Sequence, residues 1–433
     1  MEFLGVLVLV VSFIVLLVIG VPIAYSIGVS GILTMLVSID VIPALTTFSH
    51  RMATGLDSFA LLAIPFFILA RNIMNRGGIA IRLIDFARVL VGGIPGGVAV
   101  VNVLANMLFG AISGSAVASA SAIGTIMQPE MKKEGYSENF SAAVNITSAT
   151  TGMSIPPSNI LIVYSLASGG VSITALFLAG YIPGILTGIG IIITALTMLI
   201  YKKDGTKAAI KGLGIIALII ASILLLLKGI IFSKATFSDD VNKIMLAILI
   251  VAFCTWFIFK SVKNKDKTIE GAQKLLDAVP SLFMLVIVIG GILAGLFTAT
   301  EASAIAVLYS LILAFIYREI SFKDLQDIIV RSVKTTGVVM LLVASSLALS
   351  WIMAYENIPQ TVSQSLISLT DNPFMIMLLI NIILLMVGVF MDMTPAVLIF
   401  TPIFLPIVTA LGIDPIHFGI IMVLNLSVGL CTP

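Results

Sequence analysis

Small and hydroxyl-bearing residues interrupt an otherwise apolar stretch around position 114. The stretch reads Phe-Gly-Ala-Ile-Ser-Gly-Ser-Ala-Val-Ala-Ser over residues 109–119, with Ser113, Gly114 and Ser115 at its centre. A turn at this point inside a membrane would leave backbone carbonyls and amides without helical partners. Sodium would be coordinated by the carbonyl and hydroxyl oxygens. The N–H groups at the start of the following helix would favour an anion. Close packing of small residues between helices explains the same pattern without a ligand.

A second polar cluster surrounds a pair of prolines. Six of the twelve residues from Ser148 to Asn159 carry a hydroxyl or amide side chain. Pro156 and Pro157 remove backbone donors and clash with the preceding turn, so a helix through this segment must break. Isolated Ser and Thr residues usually bond back to their own helix. A cluster beside a break is better explained by a polar cavity.

A carboxylate lies within another apolar stretch, in the sequence Met391-Asp392-Met393-Thr394-Pro395. An ionisable residue inside a membrane segment is a functional candidate by default. A hard cation with oxygen ligands is the simplest partner for Asp392, and a proton is an alternative. Asp392 is also suited to cap the helix that follows, and this role is compatible with ion binding.

Other polar residues carry weaker signals. Thr298–Glu301 follows Gly295 and predicts the start of a helix, with Glu301 favoured in the first turn. His50 and His417 are isolated, and the sequence contains no HExxH, CxxC or nucleophile-elbow motif.

The composition places these motifs in a polytopic membrane protein. Of 433 residues, 60% are hydrophobic and 10% are charged, and the mean hydropathy is +1.21. A soluble domain carries about 25% charged residues, so this chain belongs to another class. A spanning helix needs about 20 apolar residues, which leaves room for about ten spans. The net charge of +2 gives no indication of nucleic-acid binding.

Most of the 23 basic residues fall into five groups that the positive-inside rule assigns to the cytoplasm. The groups are Arg71, Arg76, Arg82 and Arg88; Lys132 and Lys133; Lys202, Lys203, Lys207 and Lys211; Lys260, Lys263, Lys265, Lys267 and Lys274; and Arg318, Lys323, Arg331 and Lys334. The apolar stretch between the first two groups must then enter the membrane and return. The same reasoning predicts a hairpin that opens outward, with its turn near Met391–Thr394.

An internal repeat relates the two hairpins. A shift of 277 positions (406 − 129) aligns Pro129 with Pro406, and the same shift aligns three further pairs of backbone-breaking residues, Gly135 with Gly412, Gly152 with Gly429, and Pro156 with Pro433. Paired interrupted segments in two oppositely oriented halves point to a transporter binding site. The fold prediction is therefore all-α, with inverted repeats, two re-entrant helical hairpins and broken helices.

This repeat predicts three regions. The first, residues 1–204, contains an inward-opening hairpin (97–131) and a broken helix (140–168). A connector over 205–280 adds two helices, roughly 212–231 and 244–259. The second repeat, 281–433, contains an outward-opening hairpin (374–409), and the repeat predicts a continuation of the broken helix beyond Pro433.

At these residues the chain resembles the large membrane subunit of tripartite ATP-independent periplasmic (TRAP) transporters. The resembling stretches run in family order over most of the chain: Ser113–Ser115, Pro129–Met131, Gly135–Tyr136, Ile155–Ser158, Thr298–Glu301 and Met391–Pro395. The resemblance implies an elevator-type ion transporter of the bacterial inner membrane, coupled to sodium and without another cofactor. It further implies a small four-helix membrane subunit and a periplasmic binding protein as partners. Implied substrates are C4-dicarboxylates, sialic acids and other organic acids. The predicted connector is longer than the family's usual one.

The resemblance also assigns residues. One sodium site would use Ser113, Gly114 and Ser115 with Ser154 and Pro156, and another would use Asp392, Met393 and Thr394 with Thr432. Substrate contacts are expected from Ser115, Ser119, Ser158, Asn159 and Thr394.

Three other functions compete with this interpretation. A self-sufficient sodium–carboxylate symporter of the same fold would need no binding protein. An intramembrane enzyme would require a catalytic pair, and Asp392 has no obvious partner in a second span. A passive channel is disfavoured because the hairpins do not repeat as a symmetric ring around a pore.

Overall fold

The structure, a computed structural model, describes residues 2–92, 96–201, 265–370 and 372–432. Within these ranges the regular structure is helical, and no strand occurs. The predicted connector helices at 212–231 and 244–259 lie outside the described residues, as does Pro433.

The part of the first half that is described contains ten α-helices and one 3-10 helix (Phe59–Leu62). The α-helices are α1 (Glu2–Val18), α2 (Ile23–Ser38), α3 (Val41–Leu56), α4 (Ala63–Arg76), α5 (Ile79–Val91), α6 (Gly97–Ser113), α7 (Ala116–Lys133), α8 (Glu138–Ser154), α9 (Asn159–Ala167) and α10 (Ile173–Tyr201). The second half continues with α11 (Lys265–Leu293), α12 (Ala299–Ile316), α13 (Phe322–Tyr355), α14 (Ile358–Leu369), α15 (Pro373–Phe390), α16 (Met393–Ala410) and α17 (Pro415–Gly429).

Helices in the two halves begin and end at corresponding positions. Adding 277 to the bounds of α6 and α7 gives 374–390 and 393–410, which match α15 and α16 to within one residue. The same shift carries α2 to 300–315, beside α12, and carries the start of α8 to the start of α17 at Pro415. The repeat therefore includes helices whose sequences do not visibly match.

Two of the aligned residue pairs share backbone roles. Pro129 and Pro406 each lie inside the returning arm of a hairpin, α7 and α16 respectively. Gly135 and Gly412 follow these arms with φ of +82° and +80°. Left-handed φ values favour glycine because it has no Cβ, which explains the spacing found in the sequence.

Both predicted helical hairpins and the predicted break after α8 are present. The first hairpin turns at Gly114, which adopts φ 57° and ψ 23°, between α6 and α7. The second turns at Met391 and Asp392, both in extended conformations, between α15 and α16. The break spans 155–158, between the last residue of α8 and the first residue of α9.

Close glycine contacts join each hairpin to the helix that follows it. A Cβ on Gly152 of α8 would lie 2.2 Å from the Cα of Gly110 in α6. In the second half, a Cβ on Gly429 of α17 would lie 2.7 Å from the Cα of Gly388 in α15. Small residues allow membrane helices to approach backbone to backbone, so the broken helices pack directly on the hairpins.

The outer surface has the apolar character of a membrane protein. Among the described residues, seven helices are long and apolar enough to cross a membrane, and four shorter apolar helices accompany them. In α1, Leu4, Leu7, Val11 and Ile14 are each about half exposed. Such an apolar surface fits lipid rather than water, so the predicted all-α polytopic fold is confirmed.

Ion pairs gather three of the predicted cytoplasmic groups at one end of the molecule. Arg76 pairs with Asp324 at 2.7 Å, and Arg82 lies 3.8 Å from Glu319. These pairs, together with those of Arg88 with Glu130 and Lys132 with Glu138, join the segments 76–88, 130–138 and 319–324. The hydrogen bond from Lys132 lowers the pKa of the Glu138 carboxyl. Assignment of this end to the cytoplasm remains a prediction.

Candidate functional site

A cavity of about 710 Å³ lies where the two hairpin tips meet the helix break. The first tip contributes Gly114 and Ser115, and the second contributes Asp392 and Thr394. Asn159, at the start of α9, lines the same space. Three helix N-termini, those of α7, α9 and α16, therefore border one cavity, and the positive ends of their helix dipoles favour an anion there.

The serines of the first tip interact mainly with one another. The hydroxyls of Ser113 and Ser119 are 3.0 Å apart and both side chains are buried. The Ser115 hydroxyl accepts a hydrogen bond from the backbone N–H of Ala118, which caps α7. A Cβ on Gly114 would lie 3.5 Å from the backbone nitrogen of Asn159, so the tip lies close to the start of α9.

Much of the polar cluster before the break bonds to its own helix. The hydroxyls of Ser148, Thr150 and Thr151 donate to carbonyls three or four residues earlier. Ser154 differs, because its hydroxyl is buried and has no hydrogen-bond partner among the described residues. Local back-bonding, which the sequence left open, therefore accounts for three of these residues and not for Ser154.

The second tip carries the carboxylate. Asp392 stands at the N-cap of α16, yet its side chain makes no capping hydrogen bond. The carboxylate instead lines the cavity. Of the residues around Asp392, Met393 is fully buried and Thr394 lines the cavity. The capping alternative is therefore not realised by the Asp392 side chain.

The structure divides the predicted site residues into two sets. Those that line the cavity are Gly114, Ser115, Asn159, Asp392 and Thr394. Those that do not are Ser113, Ser119, Ser154, Pro156, Ser158, Met393 and Thr432. In this second set, Ser158 donates to the Met153 carbonyl and Thr432 donates to the Gly429 carbonyl at 2.6 Å. Their roles as ligands remain predictions.

Helices α8 and α9 of the first half also contact α17 and the residues that follow it in the second half. The Thr150 hydroxyl lies 3.5 Å from the sulfur of Cys431. The hydroxyl of Tyr164, in α9, donates to the Pro415 carbonyl at the start of α17 at 2.6 Å. Gly419 leaves room for the Tyr164 ring, because a Cβ there would lie 2.4 Å from a ring carbon. The helix that follows the first break is therefore fixed against the second half.

Arg71 lines the cavity, a position that the sequence did not predict. The positive-inside rule placed it in a cytoplasmic group, whereas the structure places it within α4, lining the cavity. Its guanidinium donates to the Ser113 carbonyl at the first tip, 3.1 Å away. The available signal was its position directly after the apolar run Phe66–Ala70, because a basic residue inside a span usually faces a polar cavity.

Residues Thr298–Glu301 take the structural role that the sequence favoured. Thr298 and Glu301 form a capping box at the start of α12, with side chains and backbone N–H groups bonded reciprocally. Neither residue lines the cavity.

Comparison with known proteins identifies the family. Residues 10–433 match the family described as "Tripartite ATP-independent periplasmic transporter, DctM component". The "Uncharacterized protein YgiK" of Salmonella typhimurium is 47% identical over 98% of this chain and 84% of its own length. Escherichia coli "2,3-diketo-L-gulonate TRAP transporter large permease protein YiaN" is 35% identical over 96% of this chain and 84% of its own. A Pseudomonas aeruginosa "C4-dicarboxylate TRAP transporter large permease protein DctM" is 36% identical over 94% and 82% respectively.

Among solved structures, the Alcanivorax borkumensis YdaH transporter is similar with a TM-score of 0.49 and 14% identity, over 92% of this chain and 78% of that one. The family match covers nearly the whole chain, and several relatives align over more than four-fifths of their own length. The chain is therefore a bacterial inner-membrane protein that belongs to the DctM family, the large permease component of TRAP transporters.

Proposed function

We propose that this permease is a secondary active transporter, not an enzyme, which imports small carboxylate-bearing solutes with sodium by an elevator mechanism. The observation that carries the proposal is the single cavity shared by both hairpin tips and the start of α9. A solute in this cavity would touch elements from both halves of the repeat. Midplane sites between repeats are typical of secondary transporters.

The cavity offers separate places for an anion and a cation. The N-termini of α7 and α9 direct backbone N–H groups toward an anionic solute. Backbone carbonyls at the first tip and the carboxylate of Asp392 are oxygen ligands suited to a hard cation. Binding of both species would require the two tips to be in place together.

The two sodium sites follow this division. The first comprises Ser113, Gly114 and Ser115 with Ser154 and Pro156, supported by the buried hydroxyl of Ser154, which has no hydrogen-bond partner in the part of the chain that the structure describes. The second comprises Asp392, Met393 and Thr394 with Thr432, supported by the uncapped carboxylate of Asp392. A buried hydroxyl without a partner is costly, and a cation ligand role would offset that cost at Ser154.

An elevator movement requires a transport body that moves as a unit. The second hairpin packs on α9 through α16, and α17 packs on α8. The hairpins and broken helices of both halves therefore form one connected body. α13 packs against α2 and α3, and we assign these helices to the scaffold against which that body moves.

The remaining elements of the proposal are the partners and the substrate. As a DctM component, the chain would act with a small four-helix membrane subunit and a periplasmic solute-binding protein. Relatives named for 2,3-diketo-L-gulonate and C4-dicarboxylate transport support an organic acid as the solute. The anion-favouring helix N-termini at the cavity agree with that class.

Uptake into proteoliposomes tests the proposal. The full-length chain, its small membrane subunit and the candidate binding protein would be combined, with and without an inward sodium gradient. Uptake of radiolabelled succinate or 2,3-diketo-L-gulonate that requires both sodium and the binding protein supports the tripartite transporter. Sodium-driven uptake without any binding protein would instead establish the self-sufficient symporter. Uptake indifferent to sodium would refute both sodium sites.

A further inference from the structure

Arg71 lines the cavity although it belongs to neither hairpin. It lies in α4, which follows the 3-10 helix within the candidate span Phe59–Arg76. The side chain is half-buried and lines the cavity between the hairpin tips. Among the described lining residues, Arg71 is the single cation and Asp392 the single anion. A guanidinium inside a membrane segment costs free energy to bury, so such a residue is a candidate for a functional role.

The hydrogen bonding of Arg71 differs from that of its neighbours. Arg76, Arg82 and Arg88 each form an ion pair with a carboxylate. Arg71 instead donates to one neutral acceptor, the Ser113 carbonyl. In the described parts of the chain it forms no ion pair, including with Asp392 across the cavity. A guanidinium has five donors in a fork that matches a carboxylate, so most of its capacity remains available.

We infer that Arg71 binds a carboxylate group of the transported solute, through its guanidinium in the cavity beside the first hairpin tip. This inference rests on the proposed import of organic acids and names the contact that recognises the acid. Charge-assisted, bidentate hydrogen bonds between arginine and carboxylate are short and directional. The N-termini of α7 and α9 border the same space and add to the attraction.

The same geometry links solute binding to the first tip. Arg71 donates to the carbonyl of Ser113, and Gly114 next to it lies close to the start of α9. A carboxylate bound to the guanidinium would therefore lie against the tip and not at the far wall of the cavity. Asp392, across the cavity, disfavours a second carboxylate near the other tip unless a cation neutralises it.

Binding measurements on Arg71 variants test the inference. The purified full-length protein would be titrated with succinate and with gluconate, and each acid compared with its uncharged amide, succinamide (the diamide) or gluconamide. The readout is the shift of the thermal unfolding midpoint in detergent, which follows ligand binding. Wild type is expected to bind at least one acid about tenfold or more tightly than its amide, since hydrogen bonds to charged groups exceed neutral ones by roughly that factor.

Arg71→Gln is expected to remove this preference, so that acid and amide bind within about twofold of each other. Arg71→Lys keeps the positive charge but lacks the forked donors of the guanidinium. Its preference for acid over amide should therefore lie between those of wild type and Arg71→Gln. A role limited to holding the Ser113 carbonyl would weaken acid and amide equally and keep their ratio. The matched control is Arg331→Gln, which removes an exposed arginine on α13 and should leave the ratio unchanged.

Each outcome has a definite meaning. A ratio preserved in Arg71→Gln overturns the inference, as does a wild type that never prefers the acid. If Arg71→Gln does not fold, an unchanged ratio in Arg71→Lys also overturns it. The proposed function fails separately, because uptake that ignores sodium refutes it even when acid binding depends on Arg71.

Discussion

The first hairpin turns through Gly114 in the left-handed region, whereas the second turns through Met391 and Asp392 in extended conformations. The first tip is capped by the Ser115 hydroxyl, and the second leaves its carboxylate uncapped in the cavity. The flanking helices nevertheless match to within one residue after a shift of 277. The repeat therefore preserves the lengths of the arms and lets the tips differ in chemistry, one with serine hydroxyls and one with a carboxyl group.

The polar contacts beneath the two hairpins also differ. In the first half, the Asn106 amide donates to Asn145 at 3.0 Å and to Ser148 at 2.9 Å, which joins α6 to α8. In the second half, a single hydrogen bond from Asn425 to Asn381 joins α17 to α15. The first hairpin is thus bound to its broken helix by more hydrogen bonds and by a closer glycine contact.

The largest effect is expected from filling these glycine contacts. Gly152→Ala would place a methyl group 2.2 Å from the Gly110 backbone, and Gly429→Ala would place one 2.7 Å from the Gly388 backbone. Overpacking costs about 1–3 kcal/mol and occasionally more, which exceeds the roughly 1 kcal/mol gained in helix propensity. Thermal unfolding in detergent should show a larger loss for Gly152→Ala than for Gly429→Ala.

The control for these variants is Gly337→Ala in α13, where a Cβ would meet no atom within 4 Å. It should keep or slightly raise the unfolding midpoint, because alanine is the better helix former. Equal losses at Gly152 and Gly429 would mean that the two halves tolerate the same separation between helices.

The next largest effect, on sodium binding, is expected from removing one polar group at each hairpin tip. Asp392→Asn removes the single carboxylate among the described cavity-lining residues, and Ser115→Ala removes one hydroxyl. Interactions with a charged group contribute about 1.5–3 kcal/mol and neutral ones about 0.5–1.5 kcal/mol. The sodium concentration for half-maximal uptake should therefore rise about 10-fold or more for Asp392→Asn and about 2- to 10-fold for Ser115→Ala. A larger rise for Ser115→Ala than for Asp392→Asn would show that the hydroxyl at the first tip, and not the carboxylate at the second, contributes more to sodium binding.

The sequence predicted the hairpins and the break because their signals are local. Pro156 and Pro157 end a helix wherever they occur, and Ser113–Ser115 and Asp392 are polar interruptions in apolar runs. The match between α2 and α12 was not visible, because apolar helices can share a length without sharing residue identities. Helix length and apolar character were conserved in that pair, and no backbone-breaking residue marked it.

The candidate site was predicted only in part, because its walls come from distant segments. Asn159 and Thr394 were expected at the cavity, and both line it. Arg71 was assigned to a cytoplasmic group, since counting basic residues does not distinguish a cytoplasmic arginine from one inside a span. Only the packing of α4 against the first tip shows that its side chain reaches the cavity.

The turn at Gly114 offers a smaller test of the comparison. Gly114→Ala would force an alanine to adopt φ 57°, at a cost of about 1–2 kcal/mol. Ordinary contact distances surround the added methyl group, with the nearest atom 3.5 Å away, so φ is the main source of strain. Met391→Leu, at the extended turn of the second hairpin, keeps a side chain of similar volume against the core and carries no such backbone cost. Thermal unfolding should therefore distinguish the two turns, and equal losses would contradict the contrast drawn between them.

The smallest effect concerns the hydrogen bond that joins the halves. Tyr164→Phe removes the bond to the Pro415 carbonyl, and Tyr309→Phe removes a bond to the Pro280 carbonyl within the second half. A hydrogen bond contributes about 0.5–1.5 kcal/mol to stability, and loss at the fully buried Tyr164 leaves an acceptor without its partner. We expect a slightly lower unfolding midpoint for Tyr164→Phe than for Tyr309→Phe. If Tyr164→Phe alone also slows sodium-driven uptake, then the contact between α9 and α17 must persist while the transport body moves. Equal midpoints with unaltered uptake would show that the close approach of Tyr164 to Gly419, and not this hydrogen bond, holds the two halves together.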